Sequence, residues 1–501
     1  MRESGILMHI TSLPGPYGVG TMGKTAYAFV DFLKEAGQSL WQILPLNPTG
    51  YGDSPYQSCS TFAGNPYLID LDMLVEEGLL TKDDLKDIEW GDNETRVDFG
   101  KLYNNRLAVL RKAHARFEPT QEFDDFLSKH SVWLSDYALF MALKNANGGK
   151  TWNQWEDGLK FRDPDAIWQA RQEHSGEVRF YRFVQYLFYK QWTALREYAH
   201  KAGIKIIGDV PIYVPLDSAD VWANPDIFQL DEDLKPVKVA GCPPDAFSED
   251  GQLWGNPLYR WEEMAKDDYA WWIRRLAAAG SLYDIVRIDH FRGLESYWAI
   301  PAEDDTARNG QWVKGPDMDF VRAIARQLPD IKMIAEDLGF LTQEVLDLRD
   351  ASGYPGMKVL GFAFDSREPS DYLPYNYIPN TVCYTGTHDN MTTRQWFDTA
   401  SSEAVAYARE FMAVAKGEND VWAMIRTAMA SVSDTVIIPM QDYLDLGAEA
   451  RMNVPGTCDG TNWTWRAKND FIGKSLAEKI FRMTKLYGRL GNRMEIKDDE
   501  V

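Results

Sequence analysis

The sequence predicts an α/β fold, a (β/α)8 or TIM barrel with large insertions in its loops and no separate C-terminal β domain. Two observations lead there. Eight short β-rich runs recur along the chain, and helical patterns lie between most of them. Several of the runs are apolar throughout, as parallel strands buried on both faces require.

The runs span residues 5–15 (GILMHITSLPG), 39–48 (SLWQILPLNP), 204–214 (IKIIGDVPIYV), 284–293 (DIVRIDHFRG), 332–340 (KMIAEDLGF), 357–365 (MKVLGFAFD), 381–390 (TVCYTGTHDN) and 434–444 (DTVIIPMQDYL). Many end in a polar residue with Gly or Pro nearby, where a strand gives way to a loop. GKTAYAFVDFLKEAG before the second run and TQEVLDLRDASG before the sixth have helical periodicity. The spacing is uneven. A plain βα unit needs roughly 30 residues, yet the second and third runs are separated by far more. Two insertions are therefore expected, at about 51–198 and 215–279, as subdomains grown from loops of one single catalytic domain covering 1–501. No Ser/Gly linker, internal repeat or low-complexity stretch divides the chain.

The 501 residues are 45% hydrophobic, enough for a substantial core. A net charge of −22 argues against nucleic acid and anionic membrane as partners. Four scattered cysteines, with no CxxC, carry no zinc or redox signature and fit a reducing compartment. The apolar run near the N-terminus is too short for a secretory core, and no run approaches a membrane span. A cytoplasmic location is expected, or plastid stroma for a plant-type chain. Trp, Tyr and Phe make up 13% of the chain. Their flat faces and polar tips suit sugar rings as well as a large core.

Catalytic groups of such barrels sit at the C-terminal ends of the strands. The acids there are Asp209, Asp289, Glu336 and Asp389. Several like charges on one rim are costly unless used. Arg287 and Asp289, two apart, share a strand face, and a guanidinium favours an ionised carboxylate. By the same parity His290 points away and reads as structural, and Arg292 as a loop brace. Glu336 follows the apolar MIA, whose desolvation raises a carboxyl pKa and suits a general acid. One charged and one protonated acid are the equipment for glycosidic bond chemistry by double displacement. His388 could donate to sugar hydroxyls. A divalent-metal site is the rival reading of acids on successive strands, but Arg287 beside the central acid would repel a metal. No metal or other cofactor is expected.

The runs RIDHFRG, AEDLG and GTHDN, with GDVPIYV upstream, resemble the motif regions of the alpha-amylase clan. More closely, the chain resembles the 4-alpha-glucanotransferases of glycoside hydrolase family 77, the amylomaltases and disproportionating enzymes. The likeness covers nearly the whole chain, including GILMHITSLPGPYGVG, PPDAFSEDGQLWGNPLYRW, NVPGT and NWTWR. It implies Asp289 as nucleophile, Glu336 as general acid/base and Asp389 as the third carboxylate. It implies Tyr56, Asp209, Arg287 and His388 around the reacting glucose. Asp245, Gln252, Trp254 and Asn462 match positions lining the acceptor side. The substrates implied are α-1,4-glucans, maltooligosaccharides and glucose, for a monomer or homodimer. One departure stands in PPDAFSEDGQ, where Asp245-Ala246-Phe247 replaces the family's usual pair of neighbouring aromatics, leaving Phe247 to stack. The same carboxylates serve hydrolases. Transfer requires that an acceptor be held and water excluded, for which Phe247, Trp254 and Tyr259 form a candidate lid.

Overall fold

The computed structural model describes residues 2–50, 52–244, 248–339, 341–365, 367 and 370–491. The described residues form strands β1 (Glu3–Leu7), β2 (Leu40–Gln42), β3 (Lys205–Pro211), β4 (Lys238–Cys242), β5 (Gln252–Pro257), β6 (Ile285–Asp289), β7 (Ser296–Pro301), β8 (Gln311–Lys314), β9 (Met333–Ala335), β10 (Gly356–Val359), β11 (Thr381–Tyr384) and β12 (Thr435–Pro439).

Eight of them form one parallel sheet in the order β10-β11-β12-β1-β2-β3-β6-β9. The backbone N–H of Ala335 donates to the carbonyl of Pro355 at 3.0 Å and joins the two ends of the sheet into a barrel. Each of the eight predicted runs contributes one barrel strand, in the predicted order. Several have buried β-branched interiors, such as Ile206 and Ile207, Val286 and Ile288, and Val436, Ile437 and Ile438. Gly208 marks a close approach. A Cβ there would lie 2.1 Å from the ring of Tyr283, so only glycine lets that ring pack on β3 beside Asp209.

The long connection from β2 to β3 is helical and ends in the helix Ser175–Lys201. That helix lies against the first barrel helix, Lys24–Glu35: Tyr198 meets Tyr27 with ring centroids 4.9 Å apart, and its hydroxyl donates to Asp31 at 2.7 Å. The segment after β3 was expected as one insertion. Instead its strands β4 and β5 join β7 and β8, which follow β6, in an antiparallel sheet of order β5-β4-β7-β8. Val239, Ile300 and Ala307 form a small apolar cluster of their own on it. KVAGC and QLWGNP are short and interrupted by Gly and Pro, so no alternating pattern announces these strands. After β12 the described residues add no strand. The chain instead docks the helix Lys474–Leu486, tied by Gln38 Nε2 donating to Thr484 Oγ1 at 2.8 Å. Among the described residues no helix is long and apolar enough to cross a membrane.

Candidate active site

The parallel register of β3 and β6 sets Asp209 directly beside Arg287. The i, i+2 relation within β6 sets Arg287 on the same side as Asp289. One guanidinium nitrogen, Nη1, therefore serves both acids, donating to Asp209 Oδ1 and Oδ2 at 2.8 and 2.7 Å and to Asp289 Oδ1 at 3.0 Å. The arginine side chain is 3% exposed, that of Asp209 0%, and that of Asp289 28%, so only the last of the three faces open space. Tyr56 closes the group from the β2–β3 connection, its hydroxyl donating to Asp209 Oδ2 at 2.8 Å. Burial pushes Asp289 up to about 6; Arg287 opposes this, while the charges of Asp209 and Asp389 add to it. The sequence reading had Arg287 simply holding Asp289 charged. Arg287 is shared with Asp209, so Asp289 receives only part of the compensation.

Glu336 is the first residue past β9. Its backbone N–H donates to Ile288 at 3.0 Å, which continues the β6–β9 pairing to the rim. Its carboxyl accepts from the backbone N–H of His290 at 2.7 Å and from that of Leu338 at 3.0 Å. Burial pushes Glu336 up to about 7; Arg287 and the two N–H donors act against it, and the charge of Asp289 acts with it.

Asp389 lies in the loop past β11. Here burial also pushes upward but loses to the charge and hydrogen bond of His388, to Asn453 and to Arg287, and the group is held at about 2. His388 Nε2 lies 3.2 Å from Asp389 Oδ2 and Asn453 Nδ2 donates to Oδ1 at 2.6 Å. Arg451 donates to the Asp389 carbonyl at 3.1 Å. Buried Asp442 fastens the loop on either side, accepting from Thr385 Oγ1 at 2.5 Å and from the Thr393 N–H at 2.8 Å. Tyr56 and His388 stack with centroids 5.1 Å apart and planes 13° from parallel, and Trp463 lies 5.6 Å from Tyr56. Four strand ends thus converge on a rim with three differently tuned carboxylates and an aromatic wall.

A model of the 4-alpha-glucanotransferase family, glycoside hydrolase family 77, matches residues 8–471. The chain belongs to this family. It is 50% identical over 486 residues to the 4-alpha-glucanotransferase of Clostridium butyricum, covering 96% of this chain and 100% of that one. The chloroplastic/amyloplastic 4-alpha-glucanotransferase of Arabidopsis thaliana is 42% identical over 497 residues, 98% of this chain and 86% of its own. The amylomaltase of Streptococcus agalactiae, solved with acarbose, superposes with a TM-score of 0.95 at 43% identity, covering 98% of this chain and 100% of that one.

Around this family 77 site the other expected residues have different surroundings. Trp254 donates through Nε1 to Gln252 Oε1 at 3.1 Å and meets the ring of His290 edge-on at 4.8 Å, so both reach the rim through His290. His290 does not follow strand parity. β6 ends at Asp289, and His290 adopts the left-handed conformation, φ 58° and ψ 49°, that turns the chain into a short 3-10 segment. Burial, then the charge of Arg292, push its imidazole down to about 3, and its Nε2 is buried without a hydrogen-bond partner among the described residues. The Asn462 amide is committed to its own loop, accepting from Val454 N–H at 2.9 Å and donating to Thr457 at 3.0 Å. Tyr259 is no lid: it is 1% exposed, and its hydroxyl donates to the Ile212 carbonyl at 2.8 Å. Asp245 and Phe247 lie outside the described residues.

Sequence reasoning missed Asn453, Trp463 and Arg451. Asn453 opens the NVPGT run and Trp463 is the first Trp of NWTWR, so those two runs held the only signal. Among the described residues no group of three or more His, Cys, Asp or Glu side chains is placed to hold a metal ion.

Proposed function

We propose that the chain transfers segments of α-1,4-glucan to the 4-hydroxyl of another glucan or of glucose, through a covalent glucosyl-enzyme with retention at C1. The observation that carries this is the division of labour among buried acids. Burial raises both Asp289 and Glu336, so near neutral pH the pair holds a proton in a share of molecules. The ion pair of Asp289 with Arg287 Nη1 favours Asp289 ionised and that proton on Glu336. Asp289 Oδ attacks C1 as the Glu336 proton passes to the glycosidic oxygen, and the leaving glucan departs with that proton. Glu336, now a carboxylate, takes the proton of the incoming 4-hydroxyl as that oxygen attacks C1 and the ester to Asp289 breaks. Asp389, kept anionic by His388 and Asn453, accepts hydrogen bonds from hydroxyls of the distorted ring. Tyr56, His388 and Trp463 give that ring an apolar face.

Arg287 Nη1 supports this over metal-dependent chemistry, because it stands between Asp209 and Asp289 where a cation would have to bind. Neutral Trp254 and His290 offer an acceptor sugar an aromatic face beside the nucleophile, which supports transfer over hydrolysis. The test is the product distribution from maltotriose with time. Glucose together with a ladder of maltooligosaccharides longer than the substrate is expected. Glucose and maltose alone, with no longer product, would overturn transfer in favour of hydrolysis.

A further inference from the structure

Behind His388, the exit of β1 and the loop after β11 enclose a cavity of about 20 Å³, lined among others by His9, Ser12, Thr387, His388, Gln441 and Met452. One water needs roughly 10–15 Å³ and two to four polar partners. The six named residues are each less than a tenth exposed. Ser12 Oγ is buried there with no hydrogen-bond partner among the described residues. An orphaned hydroxyl of this kind is costly and points to a partner the protein atoms do not supply.

The two imidazoles fix which way such a partner must face. His9 Nδ1 accepts the backbone N–H of Leu44 at 3.2 Å, so it carries no proton. Burial, then the proximity of His388, push His9 down to about 3, so the ring is neutral and its single proton is on Nε2. His388 turns its Nε2 to Asp389 at 3.2 Å, leaving Nδ1 for the other side of the ring.

We propose that the cavity binds one water, which accepts the Nε2–H of His9, bonds Ser12 Oγ and donates to Nδ1 of His388. His9 and Ser12 are then positioning residues, acting on the sugar subsite through His388 without touching the sugar. The inference rests on the reading above in which His388 and Asp389 hold the reacting glucose. Because His9 can only donate toward the cavity, the water is biased to offer a hydrogen to His388, and the proton of His388 stays on the Asp389 side. Charging His388 would set a second donor against that water. The other groups facing His388 are Asp389 on its own loop, Asp209, Arg287 and Asp289 on the strand ends, and Tyr56 stacked on the ring. Burial resists charging His388, but Asp389 outweighs it and the imidazole pKa is raised; the water from His9 works against that rise.

Ser12→Ala gives the first test. If the cavity is dry, the variant removes an unsatisfied buried hydroxyl, so Tm holds or rises and kinetics do not change. The proposal expects Tm to fall. In His9→Phe, the His388 titration, followed by NMR on 15N-histidine-labelled protein, should move upward by about half a pH unit, the worth of one neutral hydrogen bond. Its kcat/KM for maltotriose should fall about threefold or more, and His9→Asn, which keeps a donor and an acceptor, should restore most of it. A Ser12→Ala variant that is no less stable, together with an unmoved His388 titration, would overturn the proposal. If His9→Phe does not fold, the sign of the Ser12→Ala change in Tm decides alone. The titration and Tm do not depend on turnover, so they stand apart from an Asp289→Ala result that tests the mechanism itself.

Discussion

The β6 and β11 sides of the rim each place a carboxylate against a cation-forming partner, with opposite results. On β6, Arg287 divides one nitrogen between Asp209 and Asp289, and burial carries Asp289 up to about 6. Past β11, burial also pushes Asp389 upward, but the His388 and Asn453 hydrogen bonds, each made to Asp389 and not divided with a second acid, hold it at about 2. Asp289, whose partner is shared, is raised toward the working pH and can exchange charge with Glu336 beside it. Asp389, with partners of its own, stays ionised across that range. The same burial therefore ends in a raised or a lowered carboxyl pKa according to how many acids each donor must serve.

The comparison breaks most completely if the reactive side is removed. Asp289→Ala should lower transfer by about 10⁴-fold or more, as nucleophile deletions do, measured as glucose release from maltotriose; residual activity within tenfold of wild type would show that another group attacks C1. Arg287→Lys comes next. Lysine keeps the charge but, as a single flexible ammonium, does not hold two acids in one geometry. A loss of about 10²-fold is expected, and with it a change in pH dependence. Wild-type kcat/KM should peak between limbs set by the Asp289–Glu336 pair, near 6 and 7. Weaker compensation of Asp289 should move the acid limb upward.

Asn453→Ala probes the other side. Losing a hydrogen bond to a charged group should cost about tenfold or more in kcat/KM. From about 2, Asp389 can rise considerably and still be ionised at neutral pH, so the loss should be uniform from pH 5 to 8. A pH-dependent loss would mean that Asp389 also titrates in the working range.

Most of this comparison was legible in the sequence where geometry is local. The eight barrel strands were visible because several of the runs are continuously apolar, as parallel strands buried on both faces require, and helical patterns lie between most of them. Arg287 and Asp289 were joined by strand parity, and Glu336 was read as a raised acid from the MIA run before it. Parity failed one residue later: His290 lies past the end of β6 in a left-handed turn, where alternation no longer applies. The partners of Asp389 were invisible for a different reason. Asn453 is 64 residues away and nothing local pairs the two. The division of Arg287 needed the β3–β6 register, and the antiparallel sheet needed two loops to meet, neither of which a linear pattern encodes.

The smallest expected effect separates the two sides by sign. Glu336 ionises at 4.5 ordinarily and at about 7 in the fold, so between those values the folded state binds more protons than the unfolded one. Stability therefore falls as pH rises through this window, and above it the full cost of burying the charge remains. Glu336→Gln removes that cost and should raise Tm by about 2 °C at pH 8, with the gain shrinking to nothing as pH approaches 4. Asp389 is shifted the other way, from 3.8 to about 2. Its contribution is fully present above the ordinary value and is lost only as pH falls toward the folded one. Asp389→Asn should thus lower Tm at pH 8, and the difference should close only in strong acid. Thermal melts of both variants from pH 4 to 8 check the pair. If both lost stability at pH 8, the reactive carboxylate would be as well compensated as the binding one, and the contrast between shared and undivided donors would fail.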